Sequence, residues 1–113
     1  MSDGIPLAGP RDWIKLIFRR AYGRRVEGDS MLPSLRSGDR VLIDPKACVK
    51  AGDLVLARHP YKSSVRILKR LTSIESDGRF YLSGDNPADS TDSRTFGTIS
   101  QLDVLGKVVA RYK

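Results

Sequence analysis

Past Gly23 the chain is cut at short intervals by Gly, Pro and Asp, and the apolar runs between the cuts are too short for helices. Residues 40–43 (RVLI) are entered from Ser37-Gly38-Asp39 and stopped by Asp44-Pro45. Residues 53–57 (DLVLA) are entered from Ala51-Gly52 and end near Pro60. Residues 24–27 lead the series, and 65–71, 79–82 and 104–110 complete it. Runs of this length bounded by turn residues read as strands. The series predicts a mainly β fold: a small coiled sheet, or one partly closed into a barrel. No internal repeat and no low-complexity segment interrupts it.

A chain of 113 residues is one domain, near the lower limit for a self-sufficient core. With 40% apolar and 29% charged residues it reads as soluble and globular. Twenty Lys and Arg against 13 Asp and Glu give +7, which favours an anionic partner, although a simply basic domain has the same balance. The single cysteine, Cys48, excludes an internal disulfide. Together with the single histidine, His59, it leaves too few ligands for a Cys/His zinc site, and no cofactor is expected. No stretch approaches the ~20 apolar residues that span a bilayer. The start, MSDGIPLAGP, lacks the basic-then-apolar order of a secretory signal. The expectation is a cytoplasmic protein without a transmembrane anchor.

Residues 1–10 carry two Gly and two Pro and read as a flexible lead-in. Residues 11–22 (RDWIKLIFRRAY) predict an amphipathic helix. Trp13, Ile14, Ile17, Phe18 and Ala21 share one stripe, and Arg11, Lys15 and Arg19 another. Such a helix offers peripheral contact with an anionic membrane, though packing on its own domain or on a partner is the commoner use. Residues 23–113 then form a single domain, the one that carries every turn and strand described above.

Residues 27–35 (EGDSMLPSL) put Ser30 on a Gly-Asp turn with a proline fixing the exit. A serine hydroxyl is a poor nucleophile until a neighbour removes its proton. His59 lies in RHPY, beside a proline, and reads as a surface or hinge residue. Lys69 is better placed. Alternation along VRILKRL puts Val65, Ile67, Lys69 and Leu71 on one face, with Arg66, Leu68 and Arg70 on the other. The arginines are expected to take the solvent face. An ammonium on an apolar face is desolvated, which favours the neutral amine. A lysine pKa of about 10.4 must fall toward ~7–8 before the amine is a base at neutral pH. On geometry alone, a lysine snorkelling to the sheet edge is an equal reading.

A third stretch, 84–97 (GDNPADSTDSRTFG), is rich in side chains that cap backbone groups, as a strand-joining loop would be. Read functionally, it could bring Ser90 to the lysine while Asp92 and Arg94 pair and stiffen the loop.

The segments GDSMLPSLRSGD (28–39), ILKRL (67–71) and GDNPADSTDSRTFG (84–97) resemble, in order and character, the three signature boxes of type I signal peptidases. The resemblance covers residues 26–109. It implies that Ser30 is the nucleophile of a Ser/Lys serine endopeptidase and Lys69 its general base. It also implies that Ser90 holds the lysine amine, with Asp92 and Arg94 supporting the loop. Met31 and Leu32 would border a substrate pocket, although core packing is the commoner role for both.

Three departures refine this. Membrane-anchored signal peptidases often carry a serine two places before the nucleophile; here it is Gly28. The oxyanion would then rest on the backbone N–H groups of Ser30 and Asp29, as in the self-cleaving SOS-repressor relatives. Only residues 71–83 separate the lysine box from GDN, which leaves no room for the large extra β-domain of many signal peptidases. No anchor is evident. A short member of this kind resembles the nickel-type superoxide dismutase maturation proteases, which implies a precursor protein with an N-terminal extension as substrate. Three alternatives accompany that reading. One is a general signal peptidase cleaving secretory signal peptides, and a second is a self-cleaving repressor-type protease. The third is a basic nucleic-acid-binding β-domain using Arg19, Arg20, Arg24 and Arg25. Few and scattered aromatics argue against a base-stacking platform, so no nucleic-acid partner is expected.

Overall fold

Six strands form where the turn signals leave apolar runs. In a computed structural model that describes residues 21–89 and 91–112 they are β1 (Tyr22–Arg25), β2 (Arg40–Asp44), β3 (Leu54–Arg58), β4 (Arg66–Ile74), β5 (Phe80–Ser83) and β6 (Val104–Tyr112). A four-residue helix, α1 (Ser93–Phe96), and two short 3-10 turns, Pro87–Asp89 and Gln101–Asp103, complete the elements. The lead-in, the amphipathic stretch through residue 20 and Ser90 lie outside the described residues. Tyr22, expected to end that helix, instead opens β1. Its backbone pairs with Ile43 of β2, and this long-range ladder sets its conformation rather than helical periodicity.

The strands make one antiparallel sheet in the order β1-β2-β6-β3-β4-β5. β1 and β5 are its edges, so the sheet does not close. It does coil, since residues from β1 and from the start of β4 line one cavity although β2, β6 and β3 lie between them.

Two cores sit on the sheet. One gathers Val26, Met31, Leu35, Val41, Ile43, Leu54, Leu56 and Val108; the other gathers Val55, Ala57, Leu71, Phe80, Leu82, Phe96 and Ile99. β3 contributes to both, because alternate side chains of a strand point to opposite faces. This explains why DLVLA reads as an unbroken apolar run. β4 is covered on both faces too. Ile67 and Leu71 pack in the second core and Leu68 against the first. Arg66 is exposed as expected, but Arg70 is half-buried and ion-paired rather than solvated.

Between β2 and β6 the register shifts at Leu42/Ile43. Further along this pair, past Lys107, Gly106 lies against the Ile43 side chain and the Asp44 backbone. An added Cβ would lie 2.5 Å from Ile43 Cγ2 and 3.0 Å from the Asp44 carbonyl oxygen. β4 and β5 are joined by a tight hairpin, in which the Glu75 N–H donates to the Arg79 carbonyl (2.8 Å) and the Gly78 N–H to the Glu75 carbonyl (2.8 Å). The lysine strand and the GDN loop are therefore direct neighbours.

Candidate active site

The serine-bearing turn is a loop closed at its base. The Val26 N–H donates to the Asp39 carbonyl (2.7 Å) and the Gly38 N–H to the Val26 carbonyl (2.8 Å). Inside it, the Leu32 N–H reaches the Asp29 carbonyl (3.2 Å) and the Leu35 N–H the Met31 carbonyl (3.0 Å). Met31, 1% exposed, and Leu35 anchor the loop in the first core. The peptide bond between Leu32 and Pro33 is cis. Gly28 has φ of 80°, a left-handed conformation that glycine adopts without penalty. Its N–H donates to Ser37 Oγ at 3.2 Å.

The loop after β5 grips this turn. The Asn86 N–H donates to the Ser30 carbonyl (2.8 Å) and its Nδ2 to the Asp29 carbonyl (3.1 Å). Among the described residues neither the Asp29 nor the Ser30 N–H donates a hydrogen bond within the protein.

A second tie runs beneath the first. Arg70 makes two bonds to Asp85, Nε to Oδ1 at 2.9 Å and Nη2 to Oδ2 at 2.6 Å, and a third from Nη1 to the Gly52 carbonyl at 2.7 Å. Ser34 Oγ donates to Asp85 Oδ2 and accepts from Arg70 Nη2 at 3.4 Å. One carboxylate thus joins the lysine strand, the GDN loop and the serine turn. Partial burial alone would push the Asp85 carboxyl up. The hydrogen bonds from Arg70 and Ser34, with the Arg70 charge, outweigh that and hold it below its ordinary value.

The remaining loop is organised by Asp92, which is fully buried. It caps α1 by accepting from the Arg94 N–H (3.0 Å), receives the Gly84 N–H (2.8 Å) and pairs with Arg94 Nε (2.9 Å) and Nη2 (2.5 Å). The hydrogen bond to Asp92 holds the Arg94 pKa above its ordinary value. Ser93 Oγ accepts the Leu82 N–H at 2.8 Å and fastens the helix to β5.

Ser30, Met31 and Lys69 line one cavity of about 180 Å³. Lys69 is 5% exposed and stands on β4 opposite Val55 of β3. Leu32, expected beside Met31, does not line this cavity. It is half-buried one residue further along the turn, where the chain has already bent away. His59 is not in the lining either. Its Nδ1 accepts the Tyr61 N–H (3.1 Å) and its ring packs edge-on against Phe96, 5.0 Å between centroids. Sequence reasoning missed Ser34, Arg70, Asp85 and Asn86. The available signal was the Asp-Asn pair opening the GDN loop and the arginine next to Lys69. Among the described residues there is no group of three or more His, Cys, Asp or Glu able to hold a metal ion, and no helix is long and apolar enough to cross a membrane.

A family model described as Peptidase S24-like matches residues 7–109. The chain is 31% identical over 107 residues to mitochondrial inner membrane protease subunit 1 of Xenopus tropicalis, covering 74% of this chain and 64% of the relative. It is 32% identical over 110 residues to the subunit 1 of Schizosaccharomyces pombe, covering 76% and 69%. It is 32% identical over 112 residues to subunit 2 of Danio rerio, covering 77% and 61%. The chain thus spans about two thirds of the length of these relatives.

Proposed function

This chain belongs to the Peptidase S24-like family, and from that premise we propose that it is a Ser/Lys endopeptidase that trims an N-terminal extension from a precursor protein. The observation that carries the reading is that Ser30 and Lys69, far apart in the chain, line the same cavity. In the proposed cycle the neutral Lys69 amine takes the Ser30 hydroxyl proton, and the alkoxide attacks a peptide carbonyl held in extended form beside β1. The N–H groups of Ser30 and Asp29 receive the developing oxyanion. The Lys69 ammonium then protonates the departing amine, and water hydrolyses the acyl-enzyme with Lys69 again as base. Burial of Lys69 favours the neutral amine that this requires. Ser90 is assigned to orient the lysine, while Asp92 and Arg94 shape the loop that carries it.

The relatives are named as proteases of the mitochondrial inner membrane, which supports a processing peptidase of the signal-peptidase kind. That is the general signal peptidase alternative. Nickel superoxide dismutase as the substrate rests on the motif resemblance alone, and the relatives lend it no support.

The test is to mix the chain with precursors of both kinds and follow clipping by mass spectrometry beside Ser30→Ala and Lys69→Ala. Both variants are expected to lose cleavage; clipping at the parent rate by either removes that residue from the dyad. Ser90→Ala is expected to slow turnover without unfolding the protein. The pH–rate profile of kcat/KM is expected to rise well below the ~10.4 of a free lysine. A rise near that value argues against a desolvated base.

A further inference from the structure

Arg24, Arg25 and Arg66 line the cavity shared by Ser30 and Lys69, and all three are exposed, so they stand at its mouth. Four other cations have carboxylate partners. Arg58 lies 3.7 Å from Asp103, Arg70 2.6 Å from Asp85, Arg94 2.5 Å from Asp92 and Lys107 3.5 Å from Asp53. Among the described residues none of the three mouth arginines makes an ion pair. Arg66 has one hydrogen bond, from Nη1 to the Ser63 carbonyl at 3.0 Å. Glu27 is the one acid in the lining, and it pairs with none of them.

We propose that this cleft selects peptides carrying Asp or Glu close to the bond that is cut, read by Arg24, Arg25 and Arg66. The proposal rests on the reading of the cavity as a peptide-cleaving site. A guanidinium presents a planar fork of donors that matches a carboxylate bidentately, and none of these three is engaged in an ion pair among the described residues. Single exposed pairs are weak, but three like charges around one mouth act together and also steer an acidic chain toward it. The shape favours a peptide over a flat anionic surface. The cavity is about 180 Å³, with Val26, Met31, Leu56, Ile67 and Leu68 as its apolar lining. Beside it runs β1, whose outer edge has no strand partner among the described residues. An unpaired edge accepts an extended chain through main-chain hydrogen bonds.

The experiment uses the full chain and a set of matched peptides in which Asp or Glu, or its amide twin, is scanned across both sides of the cleaved bond. At low salt, kcat/KM for the best acidic position is expected to exceed that of its amide twin about five- to tenfold, and the ratio is expected to shrink as salt is raised. Replacing the mouth together, Arg24→Gln with Arg25→Gln and Arg66→Gln, is expected to bring the ratio near one, whereas Lys50→Gln on the remote surface leaves it as in the parent. A ratio near one at every position in the parent, or one that the triple variant keeps, overturns the proposal. If no peptide is cut, binding of the same labelled peptides to the Ser30→Ala chain separates the two claims. Tighter acidic binding that the triple variant loses upholds selection and sinks the proteolytic reading, while equal binding sinks selection. Phosphatidylserine vesicles form the last arm. If the triple variant loses vesicle binding yet keeps its acidic preference, the arginines belong to a lipid surface and the proposal fails.

Discussion

The backbone N–H of Asn86 donates to the carbonyl of Ser30 at 2.8 Å, so the loop after β5 holds the candidate nucleophile by its own main chain. The Asn86 side chain adds the bond to Asp29 (3.1 Å). Asn86→Ala removes only the second. A net hydrogen bond of this kind contributes about 0.5–1.5 kcal/mol, so the melting temperature is expected to fall by a few degrees at most. Activity is expected to fall further, about tenfold in kcat, because a small misplacement of a nucleophile is costly. Steady-state kinetics beside thermal unfolding checks this; equal loss in both measurements assigns Asn86 to the scaffold alone.

Asp85 makes stability depend on pH. Its folded-state pKa lies below the ordinary 3.8. The contribution is therefore present above that ordinary value and is lost as pH falls through the folded pKa. Melting temperature measured from pH 6 to pH 2 is expected to drop in the acid limb, and Asp85→Asn is expected to flatten that limb. The same variant leaves Arg70 poorly matched and is expected to cost about 1–3 kcal/mol at neutral pH. An acid limb of unchanged slope assigns the loss to other carboxylates.

Asp92→Ala removes an N-cap and leaves the Gly84 N–H without its buried acceptor. The expected loss is about 2–3 kcal/mol, read by denaturant unfolding. Arg94→Ala is expected to cost less, since its guanidinium is partly in water. The reverse order contradicts the view that Asp92 organises the loop through backbone groups.

Two glycines separate strain from crowding. Gly28 has positive φ but open space where a Cβ would go, so Gly28→Ala is expected to cost about 1 kcal/mol through backbone conformation alone. At Gly106 a Cβ meets Ile43 and the Asp44 backbone, and Gly106→Ala is expected to cost more, about 2–3 kcal/mol, by forcing β2 from β6. Chemical denaturation of the two variants ranks them.

The strands were legible because turn residues bracket them, and Lys69 stood out because it interrupts an apolar face. Arg70 was misread for the same reason. Alternation tells which face a residue takes but not what covers that face, and here Asp85 of the GDN loop and Ser34 of the serine turn meet Arg70. The Arg70–Asp85–Ser34 tie and the Asn86 bonds join segments distant in sequence, so periodicity carries no trace of them. Tyr22 shows the limit at a boundary: a helical stripe runs up to it, yet pairing with Ile43 decides its backbone. The order β1-β2-β6-β3-β4-β5 is likewise a property of long-range pairing, with β6 inserted between two strands that precede it.

The hairpin joining β4 to β5 also makes the fold modular. Lys69 lies upstream of its tip and Asp85 downstream, while Ser76 and Asp77 at the tip are exposed. A guest domain grafted between those two residues would hang from a hinge, disturbing the bonds between Glu75 and its turn but leaving the β4–β5 register in place. Because the entropy of closing a loop grows only slowly with its length, even a long guest adds little penalty. The same turn is therefore a port through which this architecture can gain a second body, a reporter or a docking module while its chemistry stays where it is.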